Sequence, residues 1–242
     1  MDEKRQIAIL ITVAFGIGIA ACIMALAIPF LFEGDLVIAD YHAELGENGI
    51  FTERYVYEVK TGGQYRMLFR YWMDPLSADP LGTPYIGFED MAIPPGTIGY
   101  IKEYDSTVTL IGSNNPADAS FVRQMAENSE VGIYNPSYFP AGRYEVTYRY
   151  ILHPPLEYDD RNTHLNLRLV DRHIPYRNLA ISVPARSVET IYPHPPALQV
   201  TPSGDRYIIS GSVAANEVIG IEMLLSREAL EEIPGFPVYV EG

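Results

Sequence analysis

The sequence predicts an all-β protein, an immunoglobulin-like β-sandwich with one short helix, preceded by a single N-terminal transmembrane helix. Three observations support this fold class. Residues 7–32 contain no charged side chain, residues after 33 alternate between apolar and polar side chains in nine or ten short segments, and only one later segment has a helical pattern. Short alternating strands separated by turn residues favour a sandwich over alternating strands and helices.

The first element is the apolar run at residues 7–32, IAILITVAFGIGIAACIMALAIPFLF, which exceeds the roughly 20 residues that cross a hydrocarbon core. Lys4 and Arg5 precede it, whereas Glu33 and Asp35 follow it, so the positive-inside tendency places the N-terminus in the cytoplasm. We therefore expect a cytoplasmic tail at 1–6, a membrane helix at 7–32 and an extracytoplasmic domain at 33–242. With this topology, residues 7–32 contact the lipid bilayer.

Other interpretations of this run stay open. A cleavable signal peptide would release the same outer domain, and the small residues before Cys22 also fit a lipoprotein signal. The residues after Cys22 are apolar, unlike the polar tether of a mature lipoprotein, which favours an uncleaved anchor. The string FGIGIAA matches a dinucleotide-binding turn, but the partly polar helix that such a fold needs does not follow. Its small residues instead suit close packing on another membrane helix.

The predicted strands begin with a hairpin. Val37, Ala39 and Tyr41 are placed on one face, Asn48-Gly49 turns the chain, and the next strand resumes at Phe51. The proline-rich residues 74–96 are expected to form a long surface loop with a short strand near 85–88. Further strands are expected at 98–104, 107–111, 143–152, 164–170, 179–183 and 219–225. The tyrosines on the strands are expected in the core and in cross-strand pairs.

The one predicted helix outside the membrane begins at Asn115-Pro116, where a capping residue is followed three positions later by Asp118. Its apolar stripe is expected at Phe121, Val122 and Met125. The strand before the proline-rich stretch carries two arginines and a tryptophan on one face. We expect these three residues to pack at an edge of the sandwich, and the alternative is that they form an exposed recognition patch. They are Arg66, Arg70 and Trp72.

Composition excludes several functions. The 17 Lys plus Arg against 31 Asp plus Glu give a net charge of -14, and the absence of a basic stripe argues against nucleic acid as a partner. The single cysteine excludes an intramolecular disulfide and a cysteine-based zinc cluster. Residues 33–242 contain no HExxH, GxSxG, P-loop or EF-hand pattern. We therefore expect no cofactor, apart from calcium considered below.

The strings NGIFTERYVYEV, GQYRMLFRYW, EVGIYNPSYFPAGRYEVTYRYILHPPLEYDD and HLNLRLVDRHIPYRNLAISVP occur in this order. Together they resemble the N-terminal extracytoplasmic region of the predicted membrane proteins grouped as domain of unknown function 2207. The resemblance covers most of residues 35–225, and the family's tryptophan-containing strand is replaced here by HLNLRL. Members usually continue into further membrane helices, and the resemblance implies no activity. The matching positions are Thr52-Glu53, Arg70, Gly142 to Tyr150, Pro175, Asn178 and Pro184.

One polar segment, HPPLEYDDRNTH at 153–164, carries the candidate site residues. If strands 143–152 and 164–170 are antiparallel neighbours, this segment is a proline-stiffened hairpin loop with a histidine near each end. A solvated loop is the favoured interpretation. Its carboxylates are candidates for calcium, and its histidines for zinc with a third ligand missing. The candidate metal ligands are Glu157, Asp159, Asp160, His153 and His164.

These observations predict a membrane-anchored protein whose outer sandwich binds or assembles with other membrane or cell-surface proteins. The alternative is an extracytoplasmic hydrolase that uses a metal or an acid pair such as Glu157 with Asp159 or Asp160. A binding module predicts an exposed apolar or aromatic patch, and a uniformly polar surface would count against it.

Overall fold

The computed structural model describes residues 11–24, 34–46, 48–231 and 233–241. The chain divides into two compact units at Asp35. In the first unit, residues 11–24 form helix α1. The predicted tail at 1–6 and both ends of the predicted membrane span, 7–10 and 25–32, lie outside the described residues. Within the described ranges, no helix has both the length and the hydropathy that a membrane crossing requires.

The second unit is built mainly of strands, which confirms the all-β class. Its largest sheet has eight strands in the order β14-β15-β12-β1-β2-β9-β5-β4. The pairs β1–β12 and β4–β5 are parallel, and the other pairs are antiparallel. The strands of this sheet are β1 (Leu36–Leu45), β2 (Ile50–Val59), β4 (Leu76–Ser77), β5 (Tyr85–Ala92), β9 (Gly142–His153), β12 (Tyr176–Pro184), β14 (Gln199–Ser203) and β15 (Arg206–Val213).

Two smaller sheets complete the unit, with orders β13-β16-β11-β10-β17 and β3-β8-β6-β7. The five-stranded sheet contains β10 (Pro155–Tyr158), β11 (Asn162–Val170), β13 (Val188–His194), β16 (Ile219–Ser226) and β17 (Phe236–Tyr239). The four-stranded sheet contains β3 (Met67–Tyr71), β6 (Ile98–Lys102), β7 (Val108–Ile111) and β8 (Glu130–Tyr134). Helix α2 spans Pro116–Met125, and a 3₁₀ helix spans Arg227–Glu231. The strands are therefore more numerous than the nine or ten expected.

The core lies between the inner face of the eight-stranded sheet and the two smaller sheets. Its main cluster of buried side chains is drawn from all three sheets, and a smaller cluster packs helix α2 against the four-stranded sheet. Its tyrosines form cross-strand ring pairs, as expected: the ring centroids of Tyr41 and Tyr55 are 4.8 Å apart, and those of Tyr55 and Tyr148 are 5.8 Å apart. Such ring pairs add to the stabilisation that burial of apolar area provides.

The β1–β2 hairpin forms at Asn48-Gly49 as predicted, and Gly49 takes the left-handed conformation with φ of 75°. The predicted face of β1 is wrong in part. A bulge between Ile38 and Asp40 inserts one extra residue, so Ile38, rather than Ala39, shares the core side with Tyr41. A bulge cannot be read from alternation, because it breaks the period of two that alternation assumes.

Helix α2 begins as predicted. The Asn115 side-chain oxygen accepts a hydrogen bond from the Ala117 amide at 3.0 Å, and Pro116 occupies the first turn. The expected apolar stripe is only partly correct, since Val122 is buried but Met125 is 58% exposed.

The prediction for residues 153–164 is wrong. Strand β9 lies in the eight-stranded sheet and β11 in the five-stranded sheet, so the segment passes from one layer of the sandwich to the other. The change of layer falls at Pro154-Pro155. Neither proline has an N–H to donate, so a central ladder is hard to continue through this pair. Strand β10 follows, and a tight turn connects it to β11.

Candidate functional site

The polar segment contributes the β10–β11 hairpin of the five-stranded sheet, next to the edge strand β17. Asp159 stabilises its turn, because its Oδ1 accepts hydrogen bonds from the backbone N–H groups of Arg161 and Asn162, both at 2.7 Å. These two bonds hold the pKa of the Asp159 carboxyl below its usual value. The Asp159 backbone oxygen also accepts a hydrogen bond from Arg227. One carboxylate oxygen of Asp159 is therefore engaged by its own turn.

A row of alternating carboxylates and imidazoles crosses the outer face of this sheet. His164 contacts Glu157 through Nδ1 at 3.3 Å and Glu222 through Nε2 at 2.8 Å. His194 lies on the other side of Glu222, with its Nε2 3.5 Å from Oε2. The bond with His164, and then the one with His194, lowers the pKa of Glu222.

The two histidines of this row approach Glu222 from opposite directions. His164 pairs with Leu224 across β11 and β16, whereas His194 pairs with Gly220 across β13 and β16. They are therefore offset along β16 to either side of Glu222. Sequence analysis missed Glu222 and His194, because cross-strand partners on strands distant in sequence leave no local signal.

A recess of about 180 Å³ lies beside the hairpin, lined by Glu157, Tyr158, Asp159, Asn162, His164, Leu224 and Val240. The parallel edge strand β17 borders it. Tyr239 donates a hydrogen bond to Asp160 at 3.3 Å, and its ring contacts Tyr158 edge-on at 5.4 Å. The Arg227 guanidinium lies 4.4 Å from the centre of the Tyr158 ring. Polar and aromatic side chains thus meet at one open surface.

The fifth candidate, His153, is not part of this surface. It ends β9 in the other layer, where its ring stacks on Tyr85 with centroids 4.4 Å apart. Burial lowers the pKa of His153. In the part of the chain that the structure describes, no three His, Cys, Asp or Glu side chains are arranged to hold a metal ion. The metal ligands expected from sequence stay a prediction, with Glu157, Asp159, Asp160 and His164 near one another and His153 apart.

A second polar cluster lies inside the core. Glu53 and Arg70 form an ion pair in which Arg70 Nε donates to Glu53 Oε2 at 3.0 Å, and both side chains are almost completely buried. The Glu53 Oε1 atom accepts hydrogen bonds from the hydroxyls of Tyr41 at 2.7 Å and Tyr55 at 3.2 Å. Burial opposes the charge of Arg70, but Glu53 outweighs it and raises the pKa of Arg70.

The contacts of this cluster distinguish the two interpretations of Arg70 and Trp72, a packed sandwich edge or an exposed recognition patch. The Arg70 guanidinium carbon is 3.1 Å from the centre of the Trp72 ring, and Trp72 is 1% exposed. The exposed recognition patch is therefore wrong, and these two residues pack inside the sandwich. Because Glu53 lies on β2 and Arg70 on β3, the ion pair connects the eight-stranded sheet to the four-stranded sheet.

A sequence profile described as predicted membrane protein (DUF2207) N-terminal domain matches residues 38–225. The chain belongs to the DUF2207 family. The profile covers most of the chain, and the resemblance found in the sequence is thereby confirmed. No curated protein matches the chain.

Several of the positions through which the sequence resembles DUF2207 lie at contacts between strands. Glu53 and Arg70 form the buried ion pair described above. Asn178 donates its side-chain amide to the Ala39 carbonyl at 3.2 Å, at the bulge of β1, and the Pro175 carbonyl accepts from the Ile38 amide at 2.9 Å. In this chain, these residues therefore hold neighbouring strands together. The family is described as a predicted membrane protein, and the match falls on its N-terminal domain.

Proposed function

We propose that this DUF2207 protein is a single-pass protein of the cell membrane whose outer domain is a binding or assembly module. Residues 7–32 form the membrane helix, the N-terminus is cytoplasmic, and residues 33–242 form an extracytoplasmic sandwich of the immunoglobulin-like type. The charge-free run and its basic N-terminal flank support this topology. The family description as a predicted membrane protein supports it further.

The observation that carries the binding role is an exposed strip along β17. Val238 and Tyr239 on β17 are each 50% exposed, and Val240, just after the strand, is 45% exposed and lines the recess of the β10–β11 hairpin. Apolar and aromatic side chains next to hydrogen-bonding groups are typical of protein-binding surfaces. We propose that this strip contacts another membrane or cell-surface protein. Because the chain has a net charge of -14, an uncharged strip gives a partner protein contact area without further negative charge.

The topology is tested with single cysteines in a Cys22→Ala background. On intact cells, a membrane-impermeant maleimide should label Ser203→Cys but should label Asp2→Cys only after permeabilisation. The intact mass of the membrane-extracted protein should include the N-terminal residues. Labelling of Asp2→Cys on intact cells would contradict the orientation, and a mature start at Cys22 would contradict the uncleaved anchor.

The binding role is tested by photo-cross-linking in native membranes. A photoreactive residue at Tyr239 should give a discrete protein adduct, whereas the same residue at Met125, which is 58% exposed on α2, should not. The change Val238→Asp should abolish the Tyr239 adduct, because a charge at the strip must be desolvated on binding. Equal adducts from both positions, or none from Tyr239, would refute the proposed surface.

A further inference from the structure

Two connections that cross between the layers of the sandwich meet beside each other. Residues 171–175 lead from β11 in the five-stranded sheet to β12 in the eight-stranded sheet. Residues 214–218 lead from β15 in the eight-stranded sheet to β16 in the five-stranded sheet. The second connection turns at 214–217, where the Glu217 amide donates to the Ala214 carbonyl at 3.4 Å. A contact between the two connections therefore joins both layers.

The first bonds between the connections are made by Asn216 and the backbone of His173. The His173 amide donates to the Asn216 side-chain oxygen at 3.2 Å, and the Asn216 amide donates to the His173 carbonyl at 3.0 Å. Asn216 has a φ of 60°, in the left-handed region that asparagine tolerates better than most residues. Neither bond involves a group that titrates near neutral pH, so both persist whatever the protonation of the His173 ring.

The His173 imidazole adds a second pair of contacts. Its Nδ1 lies 2.7 Å from the Ile174 carbonyl oxygen, and its Nε2 lies 2.6 Å from the Glu217 carbonyl oxygen. A carbonyl oxygen only accepts hydrogen bonds, so each ring nitrogen must donate one. A neutral imidazole carries one N–H, whereas the protonated ring carries two. Only protonated His173 can therefore make both hydrogen bonds.

A neutral His173 ring would lose one of these bonds. One ring nitrogen would then place its lone pair against a carbonyl oxygen at less than 3 Å, and the oxygen would lack a donor. The ring is also fixed in place, because it packs edge-on against the Tyr176 ring with centroids 4.9 Å apart. Relief of the repulsion therefore requires the 214–217 turn to move away.

The charged side chains of these two connections are engaged elsewhere. Arg172 donates to Glu127 at 2.7 Å, and Glu217 Oε2 accepts a hydrogen bond from the amide of its own turn at 3.3 Å. The third is Asp171, whose Oδ1 is buried without a hydrogen-bond partner among the described residues. Within the part of the chain that the structure describes, the hydrogen-bond partners of the His173 ring are the two carbonyl oxygens alone.

We propose that this contact is a pH-sensitive switch, in which the protonated His173 ring fastens the two connections together and loss of the proton releases the 214–217 turn. Histidine is the side chain that ordinarily changes charge between pH 5 and 8. Because the contact requires the protonated ring, it is complete at the acidic end of this range and weakens as pH rises. The proposal goes beyond the binding strip of β17 and does not depend on it.

The test is amide hydrogen exchange of the full chain in a nonionic detergent from pH 5 to pH 8, with rates corrected for the intrinsic pH dependence of exchange. Opening of residues 214–217 should be about tenfold more frequent at pH 8 than at pH 5, because one charge-assisted hydrogen bond is lost. Peptides from β2 and β9 report on the core and should show no such change. Equal opening of residues 214–217 at both pH values, or an equal change in the core peptides, would overturn the proposal.

Three variants assign the effect to the His173 ring. His173→Gln should remove the pH dependence, because an amide does not titrate in this range. Asn216→Gly keeps the left-handed backbone but removes a bond without a titrating group, so opening should increase by the same factor at every pH. His42→Gln changes another histidine, whose side chain is 55% exposed, and should leave the pH dependence as it is. A pH dependence that persists in His173→Gln, or is lost in His42→Gln, would also overturn the proposal.

Discussion

Replacing Arg70 with methionine should be among the most damaging single changes to the outer domain. Methionine keeps much of the side-chain stem but removes the charge that Glu53 faces in the core, where the two side chains are 1% and 0% exposed. Glu53 would then keep only the hydroxyl donors of Tyr41 and Tyr55. Breaking a buried ion pair from one side costs about 3–5 kcal/mol, a large part of the roughly 5–15 kcal/mol that stabilises a typical domain.

The measurement is urea unfolding of the full chain in detergent, followed by far-UV circular dichroism and by the fluorescence of Trp72. Arg172→Gln, which breaks the exposed pair with Glu127, should cost less than about 1 kcal/mol. The double variant Glu53→Gln/Arg70→Met should cost at least about 2 kcal/mol less than the sum of its singles, because no unpaired charge remains. A cost for Arg70→Met equal to that of Arg172→Gln, or additive single costs, would refute the reasoning.

Three further predictions follow from single sites. Burial raises the pKa of Glu130 to about 7, so the folded state binds the extra proton and stability should fall as pH rises from about 4.5 to about 7. In urea titrations at several pH values, Glu130→Gln should reduce this dependence of stability on pH, and an unchanged dependence would contradict the prediction. Asn115→Ala should cost about 1 kcal/mol by removing the cap of α2, measured by thermal melting, with Asn166→Ala on the exposed face of β11 as a control outside the cap. Calcium, zinc or chelator should leave the melting temperature unchanged if the 153–164 carboxylates face water, and a shift that Asp160→Asn abolishes would show a metal site.

Local signals in this sequence predicted local structure well. Asn48-Gly49 predicted the first hairpin because that dipeptide adopts the left-handed turn conformation at low cost. Asn115-Pro116 predicted the start of α2 because the cap and the first turn are made by neighbouring residues. The tyrosine positions of β2 predicted a core face because side chains alternate strictly along a regular strand.

Pairing between distant strands was not predictable in the same way. Only the short strand β10 separates β9 from β11 in the chain, and the sequence favoured a hairpin between these two strands, yet they lie in different layers. His164 and His194 both contact Glu222 only because β11 and β13 both pair with β16. The alternation of apolar and polar residues along one strand does not specify which strand lies beside it. The sequence therefore predicted the residues of the 153–164 segment but not Glu222 and His194.

The buried ion pair shows where sequence reasoning could have gone further. On β2 the core face continues through Phe51, Tyr55 and Tyr57, and strict alternation places Glu53 on the same face. A carboxylate on a core face requires a buried cation or donors, since an unpaired buried charge is too costly to keep. Arg70 on β3 satisfies that requirement, because it alternates in step with Leu68 and Trp72. Alternating apolar residues predict only that one face of a strand is buried. When an acid interrupts one such face and a base interrupts another, the two together also predict that these two strands are in contact.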